Sequence, residues 1–205
     1  SVGFFTLEEA AQQASERIFN SVQTAEGSRT EILRPILQPF GSIGSTDDVY
    51  FATRKKVITT IKSHVSHVTL DRKKGTPSEE HVAGLLEQHD RVVAFAKNDH
   101  LGFAIPYVHK GRSHLYYPDF LVRLTSDLDD PLMLIIEVSG GQKSPGPTEA
   151  KADTARWTWC PAVNNHGGFG RWHYIELDPS LMMAAREHIS AAIEALLKTQ
   201  AQAVA

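Results

Sequence analysis

Apolar residues recur at spacings of three and four at Leu181, Ala185, Ile189, Ile193 and Leu196, a stripe that predicts an amphipathic helix opened by Asp178-Pro179. A capping box, Thr6-Leu7-Glu8-Glu9, leads into a predicted first helix over Ala10 to Val22 that Gly27 ends. Thr76-Pro77-Ser78-Glu79 sets proline at the first helical position and glutamate at the third, so a second helix should run to about Gln88 and bury Val82, Leu85 and Leu86. Between these helices Ile32 to Gly44 reads as an extended connection, and Val49–Thr53 and Val57–Ile61 as short strands.

Four strands are predicted next. Val92–Ala96 is a short apolar run, and Phe103–Val108 contains Pro106, which suits an edge. His114–Leu124 and Leu132–Val138 flank a stretch of turn formers from Thr125 to Pro131, so they form a hairpin. Glu149 to about Trp159 has helical character, and Arg171–Leu177 reads as a strand. The order of helix, strands, helix, strand, helix from residue 76 onward is that of an α/β or α+β sandwich.

The hairpin carries a relation between charges that parity alone predicts. If its turn is centred on Leu128, paired residues sum to 256, and Asp119 and Glu137 face each other across the two strands. Side chains directly opposite have Cβ atoms about 4.5 to 5.5 Å apart, and two carboxylates so placed need a proton or a cation between them. Mg²⁺ suits such oxygen ligands and is commonly held by one or two carboxylates plus substrate phosphate. In the alternative, Asp119 lies exposed at a strand edge and Glu137 pairs with an arginine such as Arg123. Ser139 shares the face of Glu137, and the glycine-rich stretch after it brings in Lys143, with Lys151 on the helix that follows. Either lysine could stabilise charge developing on a phosphate.

Composition changes the picture in two places. The chain has 205 residues, enough for one domain with an appendage, and its apolar runs are too short to cross a bilayer. A lone cysteine, Cys160, fits a reducing cytoplasm. The start at Ser1, with no basic-then-apolar leader, reads as a piece of something longer. The net charge of −3 argues against nucleic acid until it is divided. Residues 54–75 hold Arg54, Lys55, Lys56, Lys62, Arg72, Lys73 and Lys74 against Asp71 alone, a basic strip that either contacts phosphate or is a solvated surface loop. His166, in a glycine-rich turn beside Asn165, and the tryptophans at 157, 159 and 172 are further candidates for contact with nucleic acid, or else turn and core residues.

Tyr117-Pro118-Asp119-Phe120, followed by Leu134-Ile135-Ile136-Glu137-Val138-Ser139-Gly140, resembles the active-site hairpin of PD-(D/E)xK nucleases. The longer context resembles the C-terminal endonuclease region of type III restriction enzyme restriction subunits and related helicase-nucleases. It includes Lys97-Asn98-Asp99-His100-Leu101-Gly102-Phe103, Ile105-Pro106-Tyr107, Trp159-Cys160-Pro161-Ala162-Val163-Asn164-Asn165 and Phe169-Gly170-Arg171-Trp172, so that it spans roughly Lys62 to Leu177.

The resemblance implies a restriction-endonuclease-like α/β fold, a mixed central sheet flanked by helices. Residues 62–205 would be the nuclease domain, and residues 1–61 a helical and extended extension, the tail of a helicase region or a linker. It further implies that Asp119, Glu137, the Val138 carbonyl and a helix glutamate, best matched by Glu80 with Glu79 and Glu87 as alternatives, bind Mg²⁺, or Mn²⁺ in its place. Double-stranded DNA would be the substrate, contacted by Lys55, Lys56, Lys62, Arg72, Lys73, Lys74, Asn165 and His166. The ATP-dependent helicase region of the same longer protein, and a modification or specificity subunit, would be partners. One departure stands out: the family's lysine, two residues after the glutamate, is Ser139 here. Either Lys151 or Lys143 has taken over that function, with Lys151 favoured because a helix holds a side chain more firmly, or this domain cleaves weakly and serves to bind DNA or a partner.

Overall fold

The computed structural model describes residues 35–37, 44–70, 79–126, 130–139, 146–177 and 184–202. The helix expected over residues 10–22, the capping residues Thr76 to Ser78 and the start at Asp178-Pro179 lie outside them, as do Arg72, Lys73, Lys74 and Lys143.

At the centre is a four-stranded mixed sheet. Strands β3 (Val92–Lys97), β6 (Phe120–Leu124) and β7 (Leu132–Val138) are antiparallel neighbours, and β8 (Arg171–Leu177) lies parallel to β7, giving the order β3-β6-β7-β8. Two hairpins accompany it, β1 (Lys56–Thr59) with β2 (His67–Leu70) and β4 (Ile105–His109) with β5 (Arg112–Tyr116). The first hairpin has one strand on each side of residue 61, and Ile58 of β1 packs on the main core.

Alternation along the strands divides the sheet into two apolar faces. Phe120, Val122, Leu124, Leu134 and Ile136 point to one side, where helix α1 (Glu79–Gln88) supplies Val82, Leu85 and Leu86 and the long helix that begins at Ala185 supplies Ile189 and Ile193. Ile135 and Tyr174 point to the other, against Ala152, Ala155 and Cys160 and against Ile105, Tyr107 and Tyr116 of the β4–β5 hairpin. The elements on that second side form the crossover between the parallel strands: α2 (Pro147–Asp153), a π-helical segment (Thr154–Trp159) and α3 (Cys160–His166), after which Gly167 ends the run with φ 75°. With the C-terminal helix α4 (Ala185–Gln202), helices cover both faces. The chain is therefore a mixed α/β protein. Among the described residues no helix is long and apolar enough to cross a membrane.

Three expectations are corrected. The run His114–Leu124 is two strands rather than one: β5 ends at Tyr116, β6 begins at Phe120, and each pairs with a different sheet. Pro118 between them has no N–H to donate to a ladder. Val49–Thr53 forms no strand; this stretch is held instead by the Asp47 N–H bonding to the Leu101 carbonyl at 2.8 Å and by Phe51 stacked on His100 at 4.0 Å. The helix expected to finish near Trp159 continues to His166 through the π-helical segment.

Candidate active site

The register of the β6–β7 hairpin pairs Phe120 with Ile136, Leu121 with Ile135 and Val122 with Leu134, the predicted alignment. Asp119 and Glu137 are the next positions outward, at the end of the sheet where Pro118 has stopped the ladder. Backbone contacts fix Asp119 on both sides: its carbonyl accepts the Asn98 N–H at 2.8 Å, and its Oδ2 accepts the Val138 N–H at 2.7 Å. The Asp119 carboxylate thus reaches across to the residue beside Glu137.

Glu137 lies in a partly buried, acidic setting. Burial and then the Asp119 charge push its carboxyl up to about 8, with Glu176 adding to the rise, while a hydrogen bond from Tyr116 and the charge of Lys151 oppose it. The Tyr116 hydroxyl donates to Glu137 Oε2 at 2.7 Å and is also bonded to the Tyr174 hydroxyl. Burial and the neighbouring Glu137 charge raise the Tyr116 phenol far above its ordinary value, and burial raises that of Tyr174, so both stay protonated as donors.

Two further groups come from strand β8 and the crossover. Parallel pairing sets Glu176 opposite Glu137, and the Ser139 hydroxyl donates to Glu176 Oε1 while the Ser139 N–H bonds the Leu177 carbonyl at 3.0 Å. Ser139, at 6% exposure, is buried in this bond. From α2, the Lys151 ammonium sits over the Tyr116 ring, 5.6 Å from its centroid. One site thereby gathers Asp119, Glu137, Glu176, Tyr116, Tyr174 and Lys151.

The helix glutamates are engaged elsewhere. Glu80 pairs with Lys56 at 2.6 Å, Glu79 pairs with the buried Lys97 at 2.6 Å, and Glu87 accepts the Ile61 N–H at 2.8 Å and the Lys62 N–H at 3.3 Å. Among the described residues no group of three or more His, Cys, Asp or Glu side chains is arranged to hold a metal. What fits a cation is the smaller set: two carboxylates in mutual repulsion, one of them driven toward protonation, both offering oxygen donors. That donor chemistry suits Mg²⁺ completed by water and phosphate, with Glu80 outside the set.

Three lysines of the basic strip are engaged within the chain. Lys55 lies 4.0 Å from Asp99, Lys56 binds Glu80, and the Lys62 ammonium bonds the His89 carbonyl at 2.8 Å. Asn165 donates to the Pro35 carbonyl at 2.8 Å, and His166 stacks on Phe169 at 5.0 Å. Trp159 and Trp172 meet edge to face at 5.2 Å and both contact Phe103, as part of the second core. A largely apolar cavity of about 740 Å³ borders these rings and does not include the carboxylates.

Sequence reasoning missed Tyr116, Tyr174 and Glu176. A weak signal for Glu176 exists, an acidic residue near the C-terminal end of a predicted strand whose other residues are mostly apolar or aromatic, but its pairing with Glu137 depends on a crossover whose length does not set register. No protein-family model, no curated protein and no solved structure matches the chain.

Proposed function

We propose that this chain is a Mg²⁺-dependent endonuclease domain of restriction-endonuclease-like fold, hydrolysing phosphodiester bonds of double-stranded DNA as part of a cytoplasmic restriction or defence helicase-nuclease. The observation that carries the reading is the juxtaposition of Asp119 and Glu137 at one end of adjacent strands, with the Glu137 carboxyl pushed up to about 8 by burial and by Asp119. Such a perturbed pair at the end of a sheet is a functional-site signature, because a purely structural site would be more stable without the repulsion. The mixed sheet with helices on both faces supports the fold assignment.

Asp119 and Glu137, with the Val138 carbonyl, would hold the ion. Bound there, Mg²⁺ supplies charge for the scissile phosphate and a water of lowered pKa. The Val138 N–H orients the Asp119 carboxylate, and the Tyr116 hydroxyl orients that of Glu137. Lys151 takes the electrostatic part that Ser139 cannot play, since its ammonium is near enough to Glu137 to lower that group's pKa and is carried on a helix.

Ser139 favours a second reading, a nuclease-like domain weakened in catalysis that binds DNA or docks a partner. Its hydroxyl is committed to Glu176. Incubation of supercoiled plasmid with Mg²⁺ or Mn²⁺ separates the two. Nicking that requires metal and is lost in both Asp119→Asn and Glu137→Gln supports the endonuclease. DNA binding without nicking supports the second reading, and nicking that survives both substitutions contradicts the assigned site.

A further inference from the structure

Arg156 and Trp157 stand apart from the other residues of the crossover. Arg156 belongs to the π-helical segment, in which hydrogen bonds run between residues five apart, a geometry uncommon in proteins and often found at functional sites. Its guanidinium lies 5.4 Å from the Tyr174 ring centroid and 5.9 Å from that of Trp157. Tyr174 is hydrogen-bonded to Tyr116, which bonds Glu137, so two residues connect Arg156 to the candidate site. Among the described residues Arg156 makes no ion pair, in contrast to Lys55, Lys56 and Lys97. Trp157 is 66% exposed, whereas Trp159 and Trp172 pack into the second core. Trp157 thus presents a large aromatic side chain to solvent with the Arg156 guanidinium 5.9 Å from its ring centroid.

From this arrangement we infer that Arg156 and Trp157 form a DNA-contacting pair on the crossover, the guanidinium bonding a backbone phosphate and the indole stacking on a base of a single-stranded stretch that adjoins the duplex. The inference rests on the endonuclease reading. Charge complementarity selects the ligand: a guanidinium 5.4 and 5.9 Å from two ring centroids, with no ion pair among the described residues, offers N–H donors that a phosphate accepts in bidentate fashion. Stacking adds an attraction that does not depend on base identity. Lys151, seated on Tyr116 as Arg156 is on Tyr174, puts a second cation on the same side of the sheet. This contact to DNA comes from the crossover between β7 and β8, outside the basic strip.

The test is binding of the 205-residue chain to a fluorescent duplex with a single-stranded tail, in EDTA, across a salt series. Arg156→Gln is expected to reduce the slope of log K against log salt by about 0.9, the contribution of one phosphate on duplex DNA, and Arg156→Lys to restore most of it. Trp157→Ala is expected to weaken binding about five- to hundredfold with the slope unchanged, since stacking releases no counterions. An unchanged slope in Arg156→Gln, or an unchanged affinity in Trp157→Ala, overturns the inference while plasmid nicking by the wild type leaves the endonuclease reading in place. A wild-type chain that neither binds nor nicks DNA overturns both.

Discussion

The Tyr116 hydroxyl donates a 2.7 Å hydrogen bond to Glu137 Oε2 from a different sheet, β5 reaching to β7. The same ring carries the Lys151 ammonium on its face, so one side chain joins the candidate metal ligand to the candidate electrostatic catalyst. Because Tyr116 is only 2% exposed, water cannot easily replace the hydroxyl.

Tyr116→Phe dissects the two contacts, as it removes the hydroxyl and keeps the ring. The lost bond favoured ionised Glu137, so the variant should need about tenfold more Mg²⁺ for half-maximal nicking, in keeping with a charged hydrogen bond worth about 1.5 kcal/mol. Tyr116→Leu, which also removes the seat of Lys151, should lower the rate at saturating Mg²⁺ as well. Equal Mg²⁺ dependence in wild type and Tyr116→Phe would show that the hydroxyl does not serve Glu137.

Glu137 also sets a pH dependence of stability. Its folded-state carboxyl is pushed up to about 8 from an ordinary value of 4.5, so the native state keeps a proton that the unfolded chain releases. The associated stability is complete below about pH 4.5, is lost as the pH rises toward 8, and changes no further above that. The loss is at most about 1.4 kcal/mol for each pH unit in this window. Urea denaturation at pH 5 and pH 8 checks it: Glu137→Gln should gain on the wild type at pH 8 relative to pH 5. A difference between the two proteins that is the same at both pH values refutes the linkage.

How far the sequence led depended on the kind of constraint each residue faced. The alternating apolar positions of β6 and β7 leave one register that buries Phe120, Val122, Leu134 and Ile136 together, which is why the alignment of Asp119 beside Glu137 could be worked out from parity. The apolar stripes of α1 and α4 were legible for the same reason. Tyr116 was not, since it was read into the same strand as Asp119, and only the break at Pro118 allows β5 to fold over the far side of Ile135. Glu80 matched a position in a pattern, but position along a helix does not determine which neighbour is nearer, and Lys56 of the β1–β2 hairpin takes its carboxylate. The basic strip was legible as charge and opaque as a surface, because the acids that neutralise Lys55 and Lys56 come from distant parts of the chain.

Gly170 fixes the start of β8 and with it the pairing of Glu176 with Glu137. It has φ +78°, and a Cβ there would stand 2.4 Å from the Pro131 carbonyl oxygen, which also accepts the Arg171 N–H at 2.8 Å. Gly170→Ala combines the left-handed backbone penalty with a backbone clash that no side-chain rotation relieves. A loss of at least about 1 to 3 kcal/mol is expected in chemical denaturation. Stability equal to the wild type would mean that β8 begins with a different backbone.

Lys151 provides the sharpest test of how this site would work without the family's lysine. Serine at 139 cannot supply positive charge, and its hydroxyl is held by Glu176. Lys151 is the cation whose charge is felt at Glu137, and its place over Tyr116 limits how far it can move. Lys151→Ala should therefore cut the nicking rate about 100- to 1,000-fold, as the loss of a preorganised electrostatic group does elsewhere, while the thermal midpoint shifts little because the side chain is only partly buried. Lys151→Arg keeps the charge and the ring contact and should retain part of the rate. An undiminished rate in Lys151→Ala would remove Lys151 from the mechanism and direct the search to Lys143, the other lysine that follows Glu137 before the helix.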